Sequence, residues 1–174
     1  MTTNPARDLL VTGLRNAHGM EVQARELMER QCERLDDYPA VRARLHEHLS
    51  ETIAQLRRLE QCLAACGEKA SAIKDTVMAA LANLTAIGHA AADDEILKNT
   101  FANEAFEHYE IAAYKSLLTL CGQAGMDGLQ EPLRQSLAEE QRMAAWLDDH
   151  VAEVTLSYLA KKAAGARSGV SELS

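Results

Sequence analysis

The segment EAFEHYEIAAYKSLLTLC, residues 104–121, has the apolar rhythm of a core helix but a charged centre. Phe106, Ala113, Leu117 and Cys121 recur at the three- and four-residue steps that place side chains on one helical face, with Ile96 further upstream. Glu110 sits in the middle of that stripe. Glu107 and Tyr114 fall at its border, Glu104 lies away from it, and His108 projects almost opposite to Glu110. A carboxylate cannot be taken into a core without a compensating partner, and a bound cation is the partner this pattern points to.

The same arrangement recurs on both sides. Near the N-terminus, Leu10, Leu14, Ala17, Met28, Cys32 and Leu35 form a stripe centred on Glu21, with His18 one turn earlier at its edge. Toward the C-terminus, Leu129, Leu133, Leu147, Val151, Val154 and Tyr158 align with Glu140 as the lone acid. The segment between is less regular: Val41, Leu45, Leu49, Thr52, Leu56, Leu59 and Leu63 form its stripe, His48 and Gln55 lie on one shoulder, and Glu51 lies further out. Spacing brings Glu51 back, because thirty residues separate Glu21 from Glu51 and thirty separate Glu110 from Glu140. Two similar helix pairs about a pseudo-twofold axis would carry their acids in this way. Three residues before the four acids stand His18, His48, Glu107 and Leu137, at the step that shares a helical face. The candidate metal ligands are therefore Glu21, Glu51, Glu110 and Glu140, with Glu107, His48 and His18 as terminal ligands. Several carboxylates with one or two imidazoles suit iron or manganese, whereas a structural zinc site would draw on thiolates.

Composition sets the frame. A chain of 174 residues with 47% apolar and 4% aromatic side chains, rich in Ala, Leu, Glu, Arg and Gln, is expected to be all-α and to form one domain over residues 1–165, followed by a frayed or disordered tail, 166–174. Turn signals predict helices over about 4–35, 39–65, 71–89, 93–120 and 129–162, with Gly122 to Gly128 as an interhelical loop. Four long helices with a short fifth one between the second and third give two antiparallel helical hairpins joined by a crossover, the ferritin-like topology. A net charge of −8 with scattered basic residues argues against nucleic acid. Neither a bilayer-length apolar run nor a signal-peptide pattern is present, which gives no membrane partner and a cytoplasmic location. Cys32, Cys62, Cys66 and Cys121 lack a CxxC pair and read as buried free thiols. No GxSxG elbow or phosphate-cradling glycine loop is found, and Arg57 with Arg58 reads as a solvated face.

Three stretches carry a resemblance: HLSETIAQLRRLE (48–60), FEHYEIAAYKSL (106–117) and LAEEQ (137–141). They resemble the YciF-like branch of the ferritin-like superfamily, bacterial proteins often linked to stress responses, over about residues 5–160. The resemblance implies a four-helix ferritin-like bundle with a fifth crossing helix, a homodimer, and a dinuclear site like that of rubrerythrins, holding two iron ions or alternatively manganese and reacting with O2 or peroxide. The ferritin pattern repeats a Glu on one helix and Glu-x-x-His on the next. Here Ala54 follows Glu51 and Met143 follows Glu140 at the histidine positions, so a nitrogen ligand would come from His48 or His18. The alternative reading is a structural or interaction bundle whose metal site is degenerate or empty.

Overall fold

The Asn4 side chain opens the first helix by accepting hydrogen bonds from the Ala6 and Arg7 amides at 3.2 and 3.3 Å, with Pro5 at the first helical position. The computed structural model describes residues 4–68 and 94–171. Within them the chain is all-α and holds four long helices: α1 (Pro5–Cys32), α2 (Pro39–Ala65), α3 (Glu95–Ala124) and α4 (Gln130–Ser171), with a 3-10 turn at Asp127–Leu129. The short crossover helix expected at 71–89 lies outside the described residues. No described helix is long and apolar enough to cross a membrane.

The ends are set by local chemistry. α3 runs past the expected stop at Leu120 and takes in Gly122, so only the second half of GQAGMDG is a connection. Gly125 ends the helix at φ +68°, a left-handed conformation that glycine adopts without steric cost, and the Met126 amide then bonds back to the Cys121 carbonyl at 2.9 Å. The glycine run had hidden this cap in the sequence. α4 likewise extends beyond the expected Lys162, to Ser171.

α1 packs on α2 and α3, while α4 packs on α3 and α2, which closes the four helices into a ring. The short connections, 33–38 and 125–129, join α1 to α2 and α3 to α4, and the helices of each joined pair are in contact. The interior has three layers. One apolar cluster contains Leu10, Leu14, Leu59, Leu63, Leu117 and Leu133; a second contains Met28, Leu45, Ile96, Met143, Leu147 and Val154. Between these two groups along each helix lies a set of buried polar residues: Glu21, then His48, Thr52 and Gln55, then Glu107 and Glu110, then Ser136 and Glu140. Each fully buried leucine contributes about 1.5–3 kcal/mol, and that surplus on both sides sustains a polar layer that destabilises the fold by itself.

Candidate metal centre

His48 stands at the middle of the polar layer, 1% exposed. Its Nε2 lies 3.3 Å from Glu107 Oε2 on α3 and 3.3 Å from Glu140 Oε2 on α4, while its Nδ1 lies 3.0 Å from Glu51 Oε2 on its own helix. One ligand atom from each of His48, Glu107, Glu110 and Glu140 lies within 4.8 Å of the others. Glu21, on α1, is fully buried beside this group, and its Oε1 accepts the Tyr114 hydroxyl at 2.5 Å. Among the described residues, Glu21 Oε2, Glu107 Oε2, Glu110 Oε1 and Glu140 Oε2 have no hydrogen-bond partner. The two oxygens near His48 Nε2 crowd a nitrogen that carries at most one hydrogen, and neither is aligned to receive it. Three buried carboxylates gathered with one imidazole, each with an unpartnered oxygen, and Glu21 buried beside them with another, form a donor set that fits a hard or borderline divalent cation.

Three expected ligands stand outside the four gathered groups: Glu21, buried beside them on α1, Glu51 and His18. Glu51 is at the edge of α2, where Oε1 accepts from Arg142 at 2.9 Å and Oε2 faces His48 Nδ1, with Arg44 at 3.7 Å. It orients the histidine instead of joining the four gathered groups. Equal spacing in sequence does not give equal helical phase, because the turns before α2 and α4 differ in length. His18 is buried, with Nε2 3.4 Å from the exposed Glu60 carboxylate and Nδ1 unpartnered, and it is also outside the gathered set. His108 is exposed on the outer face of α3, as the helical projection places it.

Sequence reading missed the support around Glu140. Gln55 donates from Nε2 to Glu140 Oε1 and, at 3.1 Å, to Glu139 Oε2. Arg58, read from sequence as solvated, is 9% exposed: Nη1 donates to Ser136 Oγ at 2.6 Å and Nη2 to both Glu139 oxygens at 2.7 and 2.8 Å. The signal was the shoulder of the α2 stripe. His48, Gln55 and Arg58 continue along that shoulder toward α4, and the adjacent Glu139 supplies the countercharge that lets a guanidinium be buried.

Burial pushes the Glu21 carboxyl well above the ordinary carboxylate range, and repulsion from Glu140 adds to it. Glu110 rises for the same reasons, with Glu21 and Glu140 as the repelling neighbours. Burial also lifts Glu140, against the opposing pull of His48, to about 7. For His48, burial alone would lower the pKa, but contacts with Glu107, Glu140 and Glu51 outweigh it and raise it to about 12. Glu51 is held down at about 2, its partial burial outweighed by His48 and Arg142. Without a cation, protons hold this cluster together.

A pH dependence follows. The Glu140 carboxyl rises from 4.5 to about 7 on folding, so its contribution is complete below pH 4.5 and is lost as pH rises to 7. That loss is about 3 kcal/mol, and the raised Glu21, Glu110 and His48 act in the same direction. Glu51, lowered from 4.5 to about 2, contributes stability that is lost only as pH falls below 4.5. The metal-free protein should therefore melt at a higher temperature at pH 5 than at pH 8. Saturating Mn(II) should reverse the trend, because ligation needs ionised carboxylates and a neutral imidazole. Thermal denaturation with a chelator and with Mn(II) checks both signs; a metal-free melting temperature that rises from pH 5 to pH 8 would contradict the first.

Fold and site together define an all-α bundle with a buried carboxylate and imidazole cluster able to hold a metal ion. The chain belongs to the DUF892 family, described as a domain of unknown function, whose model matches residues 5–160. It is 32% identical over 115 residues to protein YciF of Escherichia coli (strain K12), a match covering 60% of this chain and 65% of YciF, just under two thirds of that relative's length. The crystal structure of a protein from Xanthomonas campestris pv. campestris superposes with a TM-score of 0.76 at 26% identity, covering 91% of this chain and 98% of that one.

Proposed function

We propose that this chain is a ferritin-like non-haem di-metal protein that binds two iron ions, alternatively manganese, and reacts with O2 or peroxide in a stress response. The observation that carries the proposal is the gathering of His48 with Glu107, Glu110 and Glu140, each acid with a buried unpartnered oxygen, and Glu21 buried beside them with another. Charge supports two ions over one. Glu21, Glu107, Glu110 and Glu140 supply four negative charges when ionised, and two divalent cations cancel them. Glu51, itself neutralised by Arg142, accepts a proton-bearing Nδ1 and leaves Nε2 as the ligand atom. Tyr114 occupies one oxygen of Glu21 and Gln55 one oxygen of Glu140, so each acid keeps its other oxygen for the site. Iron in this position would supply one-electron redox chemistry toward O2 or peroxide, of the ferroxidase or peroxidase kind. The proposal includes a cytoplasmic homodimer; Phe101 and Tyr109, 52% and 64% exposed on α3, are apolar surface of the kind such a contact covers.

Anaerobic loading with Fe(II), removal of excess metal and elemental analysis test the reading. Two ions per chain, oxidised on addition of O2 or peroxide, are expected. A metal-free chain with an unchanged melting temperature would favour the second reading, a structural or interaction bundle with a degenerate site. One observation supports that reading: Ala54 and the fully buried thioether of Met143 stand where the ferritin pattern has histidines.

A further inference from the structure

Gln55 and Tyr114 each direct a buried hydrogen-bond donor at an acid of the polar layer. Both side chains are 0% exposed. The Tyr114 hydroxyl has a single hydrogen, and it goes to Glu21 Oε1 at 2.5 Å. The Gln55 amide has two: one goes to Glu140 Oε1 and the other to Glu139 Oε2 at 3.1 Å. Glu139 is itself fixed, because Arg58 Nη2 donates to both of its oxygens at 2.7 and 2.8 Å. Turning the amide over would set its carbonyl oxygen against two carboxylates, so the Arg58–Glu139 pair locks Gln55, and Gln55 locks Glu140. The other oxygens, Glu21 Oε2 and Glu140 Oε2, are buried and unpartnered, and Glu140 Oε2 lies 3.3 Å from His48 Nε2.

These contacts limit how the two acids can ligate. A carboxylate with one oxygen held by a buried donor presents the other alone, as a one-oxygen ligand. Ca(II) takes about 6–8 oxygens, often both oxygens of one carboxylate, whereas ions of the Fe(II) and Mn(II) class need fewer ligand atoms and accept an imidazole among them. Resting on the metal-binding reading above, we propose that Gln55 and Tyr114 are positioning residues that set metal specificity. By holding Glu140 and Glu21 to one oxygen each, they make the centre discriminate against Ca(II) in favour of Mn(II) and Fe(II). Neither side chain is itself a ligand; each acts through the acid it holds. Both donors are neutral groups, so they fix the oxygens without cancelling the negative charge that the acids offer a cation. A lysine or arginine in either place would hold the oxygen and repel the metal.

The test is competition between Mn(II) and Ca(II) for the full chain, with free Mn(II) read by electron paramagnetic resonance. The parent should keep Mn(II) against a large excess of Ca(II). Gln55→Met, which keeps the length and loses the donor, and Tyr114→Phe, which loses only the hydroxyl, should each shift the preference toward Ca(II) by roughly tenfold or more. The infrared carboxylate bands of the loaded variants should show the narrower splitting of two-oxygen ligation, which a loss of packing does not produce. Gln135→Met removes a donor to Glu139 Oε1 at 3.2 Å and should leave both readouts as in the parent. Either of the first two variants decides the matter should the other fail to fold. Variants that bind Mn(II) with the parent's preference and splitting would overturn this proposal alone. A parent chain that takes up no Mn(II) would overturn the metal-binding reading and this proposal with it, so the two failures are told apart.

Discussion

Glu110→Gln is expected to abolish tight metal binding and, at the same time, to raise the stability of the metal-free protein. The two effects share one cause. Glu110 is 1% exposed, and its Oε1 has no partner among the described residues. Burial and the neighbouring Glu21 and Glu140 keep its carboxyl protonated. A carboxyl that is ordinarily ionised at neutral pH must be kept neutral here, which costs stability. An amide of the same shape avoids that cost, and its unmet N–H groups take back part of the gain. A net gain of roughly 2 kcal/mol would raise the melting temperature by about 4–8 °C in a chain of this size. Metal content should fall from two ions per chain toward none, because the amide brings no charge to the cation. Thermal denaturation and elemental analysis of one preparation read both. A purely structural Glu110 would give the reverse pattern, a less stable protein.

Arg58→Met is expected to be the most destabilising of the single changes considered. Arg58 and Glu139 form a doubly bonded pair between α2 and α4, and the Glu139 carboxylate is 6% exposed. Removing the guanidinium leaves that carboxylate buried, with only the Gln55 and Gln135 amides against it. Losing one partner of a buried ion pair costs about 3–5 kcal/mol, whereas replacing both partners by apolar side chains is often nearly neutral. The double variant Arg58→Met with Glu139→Leu should therefore recover most of the loss, and the cycle measures the coupling. Denaturant unfolding of the four proteins checks it. An Arg58→Met variant as stable as the parent would show that the pair is not closed in solution.

The fold was legible because the apolar stripes are long and regular. Leu10, Leu14 and Met28, or Leu133, Leu147 and Val154, leave little choice of period, and Pro5 and Pro39 mark real helix starts. Glu21, Glu110 and Glu140 could be read as inward for the same reason. The α2 contribution was harder. Its stripe is broad, so sequence spacing favoured Glu51 while the helical phase favoured His48, and the structure gathers His48 with the acids and leaves Glu51 behind it. Arg58 escaped notice because a charged side chain reads as solvated unless its partner is known, and that partner, Glu139, lies on another helix. The stop of α3 was misread because Gly122 and Gly125 look alike in sequence, whereas only Gly125 adopts a positive φ. Such pairings and caps are set by tertiary packing, and local pattern does not encode them.

The most direct measurement is an anomalous-scattering map of crystals grown from protein loaded anaerobically with Fe(II) or Mn(II). Two peaks are expected in the polar layer, within bonding distance of His48 Nε2 and of carboxylate oxygens of Glu21, Glu107, Glu110 and Glu140. Absence of anomalous density there from a fully loaded preparation, or metal confined to surface acids, would contradict a metal centre in this bundle.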